Sequence, residues 1–154
     1  MCGIAGILGR EISQNEINKA IVMGKMLKHR GPDDEGIWVS EQKEIVLVHK
    51  RLSILDLSSN GKQPMISKSR RYVMSYNGEI YNCRELAIEL ETEKKICFDG
   101  TSDTEILLNY FQEYGIAKTL EKCRGMFAIA LYDTLDQRLY LVRDRMGEKP
   151  LFIS

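Results

Sequence analysis

Apolar positions follow two rhythms along this chain. Around residues 17–27 they recur at helical spacing, as Ile17, Ala20, Ile21, Gly24 and Leu27. Elsewhere they sit side by side, as in IVLV (45–48), MFAIAL (126–131) and LYLV (139–142). Such runs suit strands covered on both faces. The pattern predicts strands over 2–8, 36–40, 44–50, 126–133 and 138–144, with a further strand entering a glycine turn at Gly78. It predicts helices from residue 14 to about 28, 83 to about 91, 103 to about 114, and 116–122.

Punctuation supports these assignments. SQNE (13–16), NCRE (82–85) and SDTE (102–105) each have the form of a capping box, in which an N-cap side chain and an acid three residues on satisfy each other's backbone donors. HRGPDDEG (29–36) and DLSSNGKQP (56–64) read as loops. TLDQ (134–137) joins two apolar strands as a hairpin, so they are antiparallel. Antiparallel strands buried on both faces imply two sheets packed face to face with helices outside. The expected fold class is α+β, a four-layer αββα sandwich.

The 154 residues suffice for one domain with a real core. Lys plus Arg and Asp plus Glu number 22 each, which gives no pull toward nucleic acid or an anionic membrane surface. The four cysteines form no C-x-x-C pair, and two histidines complete no zinc spacing, so no metal is expected. Without an apolar export segment the expected location is cytoplasmic, with reduced thiols.

The candidate chemistry begins at MCGIAGI (1–7). Removal of Met1 would give Cys2 both a thiol and a free α-amine, and the reference pKa of such an amine, about 7.7–8.0, suits a general base. One residue then supplies nucleophile and base. A buried packing thiol and a lipidated N-terminal cysteine are the competing readings of Cys2 alone; Cys83, Cys97 and Cys123 read as packing. Arg51, ending an apolar run, offers a planar fork to a carboxylate, or a surface ion pair. Asn77 and Gly78 can place a side-chain amide and an open backbone N–H together as an oxyanion hole, or form an Asn-Gly turn. Asp103 stands in a first helical turn, where plain capping would also account for it.

As a set, MCGIAGI, HRGPDDEG, HKRLSILDLSSNGKQPM, YNGEIYN, TSDTEILL, RGMFAIALYD and RDRMGEKPLF resemble the amino-terminal glutaminase domain of asparagine synthetases. That family belongs to the class II glutamine amidotransferases, with the N-terminal nucleophile hydrolase fold. The likeness runs from Met1 to about Phe152, and it implies one glutaminase domain over residues 2–154. It implies Cys2 as nucleophile, Asn77 and Gly78 as oxyanion donors, and Arg51 as the grip on the α-carboxylate of L-glutamine. It further implies that Leu52, Ser53, Ile54 and Leu55 line the pocket and that Glu79 and Asp103 meet the substrate ammonium. A synthetase domain, in this or another chain, would be the partner, and a homodimer is compatible with it. The S-G-G-x-D pyrophosphate loop of that second domain does not occur here, so no cofactor is expected in this domain. ATP and Mg belong to the synthetase domain, and the resemblance leaves the nitrogen acceptor open. The alternatives are a glutamine-binding module without turnover and an N-terminal-cysteine hydrolase of another amide.

Overall fold

The computed structural model describes residues 1–53 and 59–154. Their elements run β1 (Gly3–Leu8), α1 (Gln14–Met26), β2 (Asp34–Val39), β3 (Ile45–Arg51), a 3-10 turn (Ser59–Gly61), β4 (Met65–Ile66), β5 (Tyr72–Ile80), α2 (Cys83–Glu93), α3 (Asp103–Tyr114), α4 (Ile116–Lys122), β6 (Gly125–Asp133) and β7 (Arg138–Arg143). Two antiparallel sheets result, ordered β1-β3-β2 and β4-β5-β6-β7.

Side-chain alternation explains the layers. On β3, Val46 and Val48 pack with Ile12 and Ala20 under α1, while Ile45 and Leu47 turn the other way to meet Val73, Ala130 and Tyr132 between the sheets. On β5, Val73 faces that middle layer, whereas Tyr72, Met74, Tyr76 and Ile80 face the core shared with Leu90, Leu107 and Phe111 of α2 and α3. The order is therefore helix, sheet, sheet, helices, as the hydrophobic runs predict.

Four local expectations need correction. No turn forms at Gly78; β5 runs through it to Ile80. A Cβ there would stand 2.3 Å from the Met126 carbonyl oxygen and 2.7 Å from Phe127 Cα, so glycine serves close strand approach rather than a turn. Asn82 does not cap α2 through its side chain. It donates to the Lys122 carbonyl and accepts from the Arg124 N–H, tying the helix start to the entrance of β6. β7 is not covered on both faces: it is the sheet edge, and Leu141 is 40% exposed. Ser102 caps α3 by accepting from the Glu105 N–H, but the Glu105 carboxylate takes the N–H groups of Asp99 and Gly100 instead of closing a box. The box at Ser13 forms in full, and β4 is a short strand the hydrophobic pattern misses.

Candidate active site

The register of the first sheet fixes the start of the chain. Gly3 pairs with Lys50 and Ile4 with His49, so Cys2 stands beside the end of β3. There the Leu52 N–H approaches the Cys2 sulfur at 3.4 Å, and Arg30, from the loop after α1, donates through Nε to the Cys2 carbonyl at 3.2 Å. Met1 still precedes Cys2, whose nitrogen in this unprocessed chain is a peptide nitrogen without basicity.

Cys2 opens onto a cavity of about 170 Å³ whose wall includes Arg51, Leu52, Gly61, Gln63, Asn77, Gly78, Glu79, Asp103 and Lys149. Pockets for drug-sized ligands run to about 300–1,000 Å³, so this one suits a smaller molecule. Arg51 is buried and its guanidinium lies against Gly61, where a Cβ would come within 2.1 Å of Nη2. A larger cleft of about 500 Å³ opens near Trp38, Arg71 and Tyr132. No cysteine lines it, and Arg71 there is already paired with Asp133 at 2.7 Å.

The second sheet supplies donors by a gap in its ladder. β4 pairs with β5 only at Val73 and Met74. Beyond it, alternate N–H groups of β5 point away from β6 and need other acceptors. The Tyr76 N–H reaches Gln63 Oε1 at 2.7 Å, and the Ile80 N–H reaches Asp103 Oδ2 at 3.2 Å. The Gly78 N–H lies between them on the same side, and no described residue accepts it. The Asn77 side-chain amide on the cavity wall likewise has no hydrogen-bond partner among the described residues. Two uncommitted donors thus come from consecutive residues lining one cavity, the kind of pair an oxyanion hole uses.

The acid is Asp103, in the first turn of α3. Burial pushes its carboxyl above the usual carboxylate range, opposed by the Tyr76 hydroxyl at 2.6 Å and the Ile80 N–H. Burial and the adjacent Asp103 together hold the Tyr76 phenol protonated. Burial likewise pushes the Cys123 thiol up to about 11 and raises that of Cys83, so neither is a ready thiolate.

The structure brings together Cys2, Arg51, Leu52, Asn77, Gly78, Glu79 and Asp103. Ser53 is off the cavity wall, its N–H held by the Asp33 carboxylate at 2.8 Å. Ile54 and Leu55 lie outside the described residues. The sequence alone does not single out Arg30, Gln63, Tyr76 or Lys149. The Arg-Gly within HRGPDDEG was a signal for the first; for the others the contacts are made only by the fold. Among the described residues no His, Cys, Asp or Glu cluster could hold a metal ion, and no helix is long and apolar enough to cross a membrane.

Comparisons with known proteins agree in sequence and in fold. A model described as "Glutamine amidotransferase domain" matches residues 1–154. A putative glutamine-hydrolyzing asparagine synthetase of Methanocaldococcus jannaschii is 40% identical over 99% of this chain and 32% of its own length. Asparagine synthetase B of Escherichia coli is 36% identical over 100% of this chain and 27% of its own, and asparagine synthetase 2 of Bacillus subtilis 39% over 100% and 20%. The chain thus spans a third or less of the curated relatives it matches. Among solved structures, a glutamine phosphoribosylpyrophosphate amidotransferase from B. subtilis superposes with a TM-score of 0.64 over 85% of this chain and 35% of its own, at 19% identity. That likeness is one of fold and agrees with the N-terminal nucleophile hydrolase architecture expected from the sequence.

Proposed function

Because this chain belongs to the glutamine amidotransferase domain family, we propose that it hydrolyses the side-chain amide of L-glutamine, with Cys2 as nucleophile once Met1 is removed. One observation carries the reading: a thiol, a buried Arg, two uncommitted N–H donors and a buried acid converge on one small cavity. An α-amino acid presents a carboxylate and an ammonium, and a desolvated pocket must meet both charges. Arg51 takes the first. Asp103, with Glu79 at the exposed rim, takes the second.

The processed Cys2 amine accepts the thiol proton. The sulfur attacks the amide carbon, and the developing oxyanion receives the Gly78 N–H and the Asn77 amide; one such donor typically contributes about a hundred- to a thousandfold in rate. The C–N bond breaks and nitrogen leaves as ammonia, taking the proton held by the amine. Water then hydrolyses the γ-glutamyl thioester, giving glutamate and restoring the thiol. Ammonia passes to a synthetase domain, for which an asparagine-forming one is the reading the relatives support. ATP and Mg would act in that domain rather than at this site.

The test uses protein verified by mass to begin at Cys2. It should convert glutamine to glutamate and ammonia in equal amounts, and Cys2→Ala should fold but lose turnover at least a thousandfold. Retained turnover in that variant would exclude Cys2 as nucleophile.

A further inference from the structure

Lys149 is a buried cation that the chemistry above leaves unused. It follows β7, and its backbone is pinned from two sides. Asp144 accepts the N–H groups of Glu148 and Lys149, each at 2.9 Å, and Arg143 Nε donates to the Lys149 carbonyl at 2.7 Å. Asp144 itself stays below the usual carboxylate range: burial alone would raise it, but the N–H groups of Lys149, Glu148 and Phe127 outweigh that. The Lys149 side chain turns inward to the cavity that holds Cys2, leaving the residue 4% exposed.

Its ammonium contacts the Met1 sulfur at 2.7 Å and forms no salt bridge with any described carboxylate. A thioether is a weak acceptor. A buried ammonium without a counter-charge is costly, so the position calls for a better partner. Removal of Met1 takes that sulfur away and turns the nitrogen of Cys2, a residue lining the same cavity, into a primary amine. The neutral amine is a good acceptor for an ammonium; the protonated amine is repelled by it. We propose that Lys149 is a positioning residue whose fixed charge holds the Cys2 amine of the processed chain in its neutral, basic form.

This inference rests on the reading of Cys2 as an N-terminal nucleophile. The charged and titratable groups around that cavity are Arg51 from β3, Tyr76 and Glu79 from β5, Asp103 from α3, and Lys149, with Arg30 from the loop after α1 on the Cys2 carbonyl. Asp103 is already held by Tyr76 and Ile80, and Glu79 is exposed, which leaves the Lys149 ammonium without a carboxylate among the described residues. An ordinary α-amine, with a pKa of about 7.7–8.0, is mostly protonated at pH 7; a tenfold loss of proton affinity makes about half of it neutral.

The experiment follows the Cys2 Cα resonance of ¹³C-cysteine-labelled full-length protein through a pH titration. Met1 removal is verified by mass, and the sulfur is capped as a methyl disulfide so that only the amine titrates. The amine midpoint of Lys149→Met should rise by about one pH unit, a tenfold change in proton affinity, while Lys149→Arg titrates like the wild type. The acid limb of kcat/KM, measured on uncapped protein, should move with the midpoint. Coincident midpoints in wild type and Lys149→Met overturn the proposal, and Lys149→Gln decides the same comparison should the Met variant not fold. The titration needs no turnover. A protein that fails to hydrolyse glutamine therefore refutes the glutaminase reading on its own, while the midpoints still judge Lys149.

Discussion

Gly61→Ala separates substrate grip from fold. The added methyl would stand 2.1 Å from Arg51 Nη2 and 2.7 Å from Cζ, where ordinary contact begins near 3.4 Å. The guanidinium must therefore move by about 1 Å or more. It is the tip of a long side chain, so the move costs the fold little, and Tm should stay within about 4 °C, the shift that 1 kcal/mol produces at this size. Hydrogen bonds to a charged group contribute about 1.5–3 kcal/mol, or roughly ten- to a hundredfold in kcat/KM when lost. We expect KM for glutamine to rise at least about tenfold on that scale, with kcat within about threefold because the reacting amide is untouched. The assay is initial-rate glutamate formation, repeated with 4-aminobutanamide, which lacks the α-carboxylate. On that substrate wild type and variant should coincide. An unchanged KM for glutamine, or an equal penalty on both substrates, would show that Arg51 does not hold the carboxylate.

Other outcomes follow from the same geometry. Gly78→Ala drives its methyl into β6 backbone rather than a flexible tip; overpacking costs about 1–3 kcal/mol, so thermal unfolding should fall by roughly 4–12 °C, and an unchanged Tm would contradict the close approach. Tyr76→Phe removes the hydroxyl that opposes the upward push of burial on Asp103. The carboxyl should then protonate at higher pH, and KM for glutamine should climb more steeply than in wild type as pH falls from 7 to 5, with kcat little changed. Parallel KM profiles would remove Asp103 from the ammonium site. His49 is driven down to about 4 by burial, against the opposing bond to the Tyr76 carbonyl. The unfolded chain binds that proton near pH 6.5, so the neutral imidazole contributes about 3 kcal/mol that is complete above pH 6.5 and is lost as pH falls to about 4. Urea unfolding of His49→Gln should show a shallower decline across that window; identical slopes would contradict it.

The layers were legible because consecutive apolar residues suit two-sided burial, and TLDQ signalled the antiparallel hairpin. Two-sided burial fails at the sheet edge, which is why LYLV misleads for β7. Gly78 misleads for a related reason: Asn-Gly is a turn signal locally, while here a neighbouring strand demands the missing Cβ. Asn82 has a capping residue's chemistry but finds acceptor and donor in chain forty residues away. Cys2, Arg51, Asn77 and Asp103 could be picked out because each has a type and a position that chemistry needs. Gly78 could be named beside Asn77 as an oxyanion donor, but the reason its N–H is left without an acceptor could not be read, since it depends on β4 stopping short. Lys149 could not be picked out, since one lysine in a polar segment gives no sign of burial.

The central claim is that the Cys2 sulfur attacks a glutamine-like electrophile only when its own nitrogen is free. Protein beginning at Cys2 and protein retaining Met1 can be exposed side by side to diazo-oxo-norleucine, then analysed by peptide mass spectrometry. A single adduct on Cys2 in the first sample, and none in the second, is the predicted result. Equal labelling of the two, or labelling at Cys83, Cys97 or Cys123 instead, would contradict it.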